Sequence, residues 1–126
     1  MSRRNVLALS LLAVCAGCMT VQTYDGPRRE SDEVARISGD LPVTAGAPVS
    51  VILRQVDGRE LKLGQIAVEL LPGEHELLVD CRIAETSSIT RHALDVDVSA
   101  GRQYRLVAQV EPGLRACSSV AVEPVN

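Results

Sequence analysis

Two histidines and two closely spaced aspartates are the residues in this chain that could support acid–base or metal chemistry. His75 follows a turn and alternates in phase with Leu77, which predicts a packed, hydrogen-bonded histidine rather than a metal ligand. His92 has no second histidine or cysteine at a zinc-binding spacing. Asp95 and Asp97 lie two residues apart on one strand face, where they supply too few oxygens for Ca²⁺ and suit a solvated face. We therefore expect no cofactor and no metal at these positions.

The serines and the single lysine also lack a catalytic setting. Ser87-Ser88 and Ser118-Ser119 lie outside the G-x-S-x-G and S-x-x-K motifs of serine hydrolases, and Lys62 has no activating neighbour. With 2 aromatic residues, a formal charge of −3 and no long basic run, the chain lacks the cationic, stacking surface of a nucleic-acid-binding protein. The sequence thus predicts a protein that is not an enzyme, with no catalytic residues and no evident small-molecule substrate.

The first eighteen residues have the pattern of a secretory signal. Two arginines precede the apolar run 6–14, which is shorter than the roughly 20 residues needed to span a bilayer. The segment Cys15-Ala-Gly-Cys18 resembles the lipobox of bacterial lipoproteins at its last three positions, with Cys15 where leucine is usual. The rival frame, which ends at Cys15, would place the bulky Val14 next to the cut. The resemblance implies cleavage before Cys18 and lipid on its sulfur and amine, whereas the alternative is an ordinary secreted protein.

The lipid on Cys18 would also determine where the protein is found. Residue 19 is Met and not Asp, so by analogy with enterobacterial sorting we expect an outer-membrane protein that faces the periplasm. Loss of the signal peptide, residues 1–17, removes two arginines and no acid. The remaining chain is acidic, so lipid and not a basic patch is expected to hold it at the membrane. Residues 18–33 mix charges with Gly and Pro, which predicts a flexible tether.

Cys81 and Cys117 are the cysteines that remain once Cys15 has left with the signal and Cys18 carries lipid. In an oxidising compartment an even pair predicts a disulfide, here one that closes a long loop. The alternative is two buried free thiols. A redox enzyme would favour a Cys-x-x-Cys pair, and the sequence has none.

The rest of the chain, residues 34–126, consists of short apolar runs with period-two alternation, separated by turn signals. Asp57-Gly58 predicts a tight turn because both residues tolerate positive φ, and Pro72-Gly73 suits a type II turn. The predicted strands span 34–37, 49–56, 61–63, 65–71, 75–82, 89–98, 103–110 and 119–125. Such a pattern indicates an all-β domain, a small antiparallel β-sandwich of about seven strands.

Two stretches of this region carry motifs of a known domain type. Residues 71–79, LPGEHELLV, resemble the PG-x-H-x-L-x-V hairpin of PEGA-like β domains. Residues 100–106, AGRQYRL, resemble the later aG-x-x-Y-x-L strand of the same domains. Together with the lipid cysteine and the Thr/Gln/Tyr-rich segment after it, the pair is similar to small proteobacterial envelope lipoproteins of unassigned function. The resemblance covers residues 18–26 and 66–110 and implies a small β-sandwich in the envelope, with no catalytic residues to carry over.

A lipid anchor, a compact β pattern and no recognisable chemistry favour a non-enzymatic envelope protein with a protein partner. The expected mode of binding is a sheet edge that accepts a strand of the partner. The alternative is a small disulfide-stapled inhibitor or ligand-binding lipoprotein. The Ser/Gly/Tyr-rich inhibitory loop of the lipoproteins that block lysozymes is not visible in this sequence, which favours the first interpretation.

Overall fold

The computed structural model describes residues 19–41, 47–113 and 116–125. These residues form β-strands and turns and include no helix that could span a membrane. The strands are β1 (Thr20–Gln22), β2 (Ala35–Ser38), β3 (Val49–Val56), β4 (Arg59–Glu60), β5 (Ala67–Leu70), β6 (Gly73–Ile83), β7 (Ser88–Val98), β8 (Gln103–Val110) and β9 (Cys117–Pro124). The predicted signal peptide, residues 1–17, and the predicted lipid site at Cys18 lie outside the described residues.

The strands form two sheets with the orders β1-β5-β2-β8-β9 and β4-β3-β6-β7. Ile37, Val68 and Leu106 of the first sheet share one hydrophobic core with Leu53 and Val79 of the second. This arrangement is consistent with the predicted β-sandwich, although it has nine described strands where about seven were expected. The prediction of antiparallel pairing is wrong for the first sheet, which is mixed, because β1 runs parallel to β5 and β2 runs parallel to β8.

Turn geometry explains where the strands begin and end. The turn at Asp57-Gly58 is confirmed, with φ values of 50° and 81°. This turn returns the chain at once, so that Val56 pairs with Arg59. The short return strand is therefore Arg59–Glu60, and its predicted position at 61–63 is wrong. Pro72-Gly73 connects β5 of one sheet to β6 of the other and does not close a hairpin.

The segment 19–33 differs from the flexible tether that its composition predicts. Thr20–Gln22 adds to the first sheet as β1, and Tyr24 is buried with 8% of its surface exposed. The Tyr24 hydroxyl donates to the carboxylate of Glu69 at 3.4 Å, and Arg28 forms an ion pair with the same carboxylate. Because Glu69 is only 7% exposed, these two partners replace hydrogen bonds that its carboxylate would otherwise make to water. The segment is thus part of the domain from Thr20 onward.

The disulfide predicted between Cys81 and Cys117 is present. Cys81 belongs to β6 and Cys117 is the first residue of β9, so the bond joins the two sheets through the core. The two residues are 36 positions apart in sequence, and their Cα atoms are 6.4 Å apart. Both are buried and belong to the same hydrophobic cluster.

Candidate interaction edge

The strand β7 is an outermost strand of the four-stranded sheet and pairs only with β6 among the described strands. Its pairing runs from Gly73–Val98 to Ile83–Ser88 without a register shift. Its 11 residues, at about 3.4 Å each, give an unbroken edge of roughly 37 Å. Every second N–H and C=O of an edge strand points away from its neighbour. The edge therefore offers a row of hydrogen-bonding groups to an added strand.

A groove of about 470 Å³ lies between β7 and β9 on the same side of the molecule. Its apolar lining comes from Leu94 and Val96 of β7, Tyr104 of β8, and Val120 and Val122 of β9; these five residues are called the β7 groove. Four of them are only half-buried, although they pack against the core. A chain segment added to the β7 edge would remove part of this apolar surface from water.

Four carboxylates cover the outer face of the sheet beside one end of the β7 groove. Glu74 lies directly opposite Asp97, and Glu76 lies directly opposite Asp95. All four residues are exposed, as predicted for the two aspartates, and none makes an ion pair within the described ranges. Like charges placed directly across a sheet destabilise it, and together they produce a negative potential. This acidic face would favour a cationic partner.

The same outer face carries a buried carboxylate in its other half. Asp80, which is 3% exposed, accepts hydrogen bonds from Arg54 Nε at 2.8 Å and from Arg91 Nε at 2.9 Å. Burial alone would raise the pKa of Asp80, but the hydrogen bonds and charges of Arg91 and Arg54 hold it below the ordinary value of 3.8. Because Arg54 is in β3 and Arg91 in β7, this cluster ties three strands together and fixes the position of the β7 edge.

His75 has the structural role that its sequence position predicts. Its Nδ1 lies 2.6 Å from Asp57 Oδ2, and its Nε2 lies 2.7 Å from the carbonyl oxygen of Leu71. Asp57 Oδ1 also accepts the backbone N–H of Glu76 at 2.8 Å. Desolvation alone would raise the pKa of Asp57, but the hydrogen bonds from His75 and from Glu76 lower it below 3.8. The histidine thus links the turn after β3 to the crossover that precedes β6.

The other residues that could take part in chemistry lie on different strands and turns. His92 Nε2 lies 3.1 Å from Thr90 Oγ1 on the same strand. Ser87-Ser88 are at the turn into β7, while Ser118-Ser119 are in β9, where the hydroxyl of Ser118 donates to Gln109. Lys62 is in an exposed turn after β4. Among the described residues, no group of three or more His, Cys, Asp or Glu side chains is arranged to hold a metal ion.

Sequence patterns do not reveal the roles of three acidic residues, Asp57, Glu69 and Asp80. Asp80 could have been recognised, because an aspartate between Val79 and Cys81 in the middle of a strand needs a cationic partner if it is covered. The partners themselves come from other strands, at separations that a local pattern does not encode.

Comparison with known proteins finds no matching family model, no similar curated protein and no similar solved structure.

Proposed function

We propose that the protein is a non-enzymatic, lipid-anchored module of the cell envelope that binds a protein partner along the edge of β7. In this proposal a lipid on Cys18 holds the domain at the outer membrane, on the periplasmic side. The observation that carries the binding proposal is the long, unbroken edge of β7 next to a half-exposed apolar groove. The lipobox-like sequence and the PEGA-like motifs support the envelope location.

The remaining sheet edges are less suitable for strand addition. Of the other outermost strands, β1 has 3 residues and β4 has 2. The fourth, β9, has a register shift in its pairing with β8 and ends at Pro124, which cannot donate a backbone hydrogen bond. Natural proteins shorten, bend or interrupt sheet edges to prevent unwanted pairing. The edge of β7 has none of these three features, which fits an edge that is kept for a partner.

The chemistry of the edge also describes the segment that it would accept. An extended peptide added to β7 would place alternate side chains over the β7 groove, where apolar residues would replace water at Leu94 and Val96. The side chains between them would point to the outer face, next to Asp95 and Asp97. We therefore propose a partner segment with alternating apolar residues and with Lys or Arg at the end that meets the acidic face.

The lipid anchor is tested by the intact mass of the protein extracted from membranes of its native host. We expect the mass of a chain that begins at Cys18, increased by a diacylglyceryl group and an acyl chain, because lipobox cleavage and lipidation occur together. The variant Cys18→Ala is expected to lack this increment. A wild-type mass without lipid would contradict the anchor.

The edge is tested by a photo-crosslinking amino acid in living cells. At Ala93, which lines the edge of β7, we expect irradiation to give one discrete adduct, because a paired strand would lie within about 5 Å of it. The matched control is the same amino acid at Ala84, an exposed residue of the turn between β6 and β7. Val96→Asp, which places a charge in the β7 groove, should abolish the Ala93 adduct. The same adduct at both positions, or at neither, would contradict the binding proposal.

A further inference from the structure

The turn after β4 presents an apolar side chain directly to solvent. Leu63 is 96% exposed, the highest value among the large exposed hydrophobic residues that the structure describes. The turn is fixed by its own hydrogen bonds. The backbone N–H of Lys62 donates to Gln65 Oε1 at 2.7 Å, and the backbone N–H of Gln65 donates to the carbonyl of Lys62 at 3.0 Å. Leucine and lysine are thus held in place on a turn, called here the Leu63 turn (residues 62–65).

The Leu63 turn is tied to the residue that follows Cys18. Just after the turn, the backbone N–H groups of Ile66 and Ala67 both donate to the carbonyl oxygen of Met19, at 2.8 and 3.0 Å. Met19 itself is 41% exposed. Met19 directly follows the proposed lipid site in the sequence, so a lipid on Cys18 would bring Met19 and the turn bonded to it to the membrane surface.

The opposite side of the domain carries the β7 edge. The strands β4 and β7 are the two outermost strands of one sheet, with β3 and β6 between them. On the β4 side, Arg59 Nη1 donates to the carbonyl of Gln22 at 3.4 Å, so β4 and β1 lie next to each other there. Met19 and the Leu63 turn therefore lie on the flank of the sandwich that β4 and β1 form, and the β7 groove opens on the other flank.

We infer that the Leu63 turn contacts a membrane, namely the lipid bilayer into which the proposed lipid on Cys18 inserts. This inference rests on the proposed lipid anchor, which would bring the turn to the membrane surface. Leu63 then enters the interfacial region, while the ammonium of Lys62 stays among the headgroups. The contact adds a second attachment to the lipid, fixes the orientation of the domain and directs the β7 edge away from the membrane.

The inference is tested with single-tryptophan variants, because the natural sequence contains no Trp. The mature lipoprotein with Leu63→Trp is reconstituted into phosphatidylcholine–phosphatidylglycerol vesicles, with or without bromine on the acyl chains. We expect a blue-shifted emission that brominated lipid quenches. The matched control is Ile89→Trp, since Ile89 is 59% exposed on β7 and should keep a water-exposed, unquenched emission.

Equal quenching of the two variants, or none at Leu63→Trp, would overturn the inference. Emission in vesicles that is blue-shifted but not quenched by brominated lipid would also overturn it, because a protein surface and not lipid would then cover the turn. If intact mass shows no lipid, the proposed anchor has failed, and the contact is tested separately. Chains that begin at Cys18 are then attached through that thiol to a maleimide lipid in the same vesicles. Selective quenching at Leu63→Trp supports the contact in that arrangement, and its absence overturns it.

Discussion

Replacing both Cys81 and Cys117 by alanine is expected to lower the free energy of unfolding by about 4 kcal/mol. The disulfide closes a loop between residues 36 positions apart, and the chain-entropy model assigns about this much to a loop of that length. The two sheets otherwise pack through a core without Phe or Trp, so the disulfide contributes a large share of the total free energy of unfolding. The loss is therefore expected to leave the domain only marginally stable.

Urea unfolding of the mature chain measures this loss as a shift of the transition midpoint. The control is the wild-type protein with and without reductant, since reduction opens the bond without removing either buried sulfur. Reduction should give most of the loss seen in the double variant. The rest of that loss reflects the two small cavities that the missing sulfur atoms leave. A midpoint that neither reduction nor the double substitution changes would show that the bond does not stabilise the fold.

Much of the fold can be predicted because its strands alternate regularly between apolar and polar residues. The ranges Val49–Val56 and Gln103–Val110 coincide with the predicted strands, since each is a run rich in apolar residues and the turns around them contain glycine or proline. The disulfide could be predicted from the count of cysteines and from the expected compartment. These features depend on local pattern or on simple arithmetic, which one sequence supplies.

The N-terminal segment could not be predicted because its order depends on a contact distant in sequence. Its mixture of charged residues, Gly and Pro is typical of a linker, yet Tyr24 and Arg28 meet Glu69, which lies more than 40 residues away. No feature around Glu69 marks it as a buried acceptor, since glutamate is usually exposed in strands. The composition of the segment does not determine where it lies.

The position of β7 at the edge of a sheet could not be predicted either. Its alternation, with Leu94 and Val96 against Asp95 and Asp97, describes a strand with one wet face equally well at an edge or in the centre. Strand order arises from the packing of the two sheets and from the crossover at Pro72-Gly73. The topology thus places β7 at an edge, whereas the sequence predicts only that Asp95 and Asp97 lie on a solvated face.

Removing both arginines around Asp80 is expected to destabilise the protein more than removing Asp80 itself. The double variant Arg54→Ala, Arg91→Ala removes both cations from a carboxylate that is 3% exposed in the wild type, which should cost up to about 3 kcal/mol because water entering in place of the arginines offsets part of the loss. Asp80→Asn leaves two arginine side chains that are about half exposed and that water can solvate, so we expect about 1 to 2 kcal/mol. Urea unfolding at neutral pH measures both losses. Arg105→Ala breaks an exposed pair with Glu123 and should cost less than about 1 kcal/mol as a control.

The pH dependence of the free energy of unfolding tests whether the buried charge of Asp80 causes the loss of stability in the double variant. In the wild type the arginines lower the pKa of Asp80, so its contribution to stability is present above the unfolded value of 3.8 and is lost as pH falls through the folded value. Without the arginines, burial dominates and raises that pKa, so the folded variant takes up a proton more readily. The difference in stability between wild type and double variant should therefore shrink from neutral pH to about pH 3. An unchanged difference would mean that the arginines act by packing alone, and equal losses for the double variant and Asp80→Asn would show that Asp80 is not a buried charge in need of its partners.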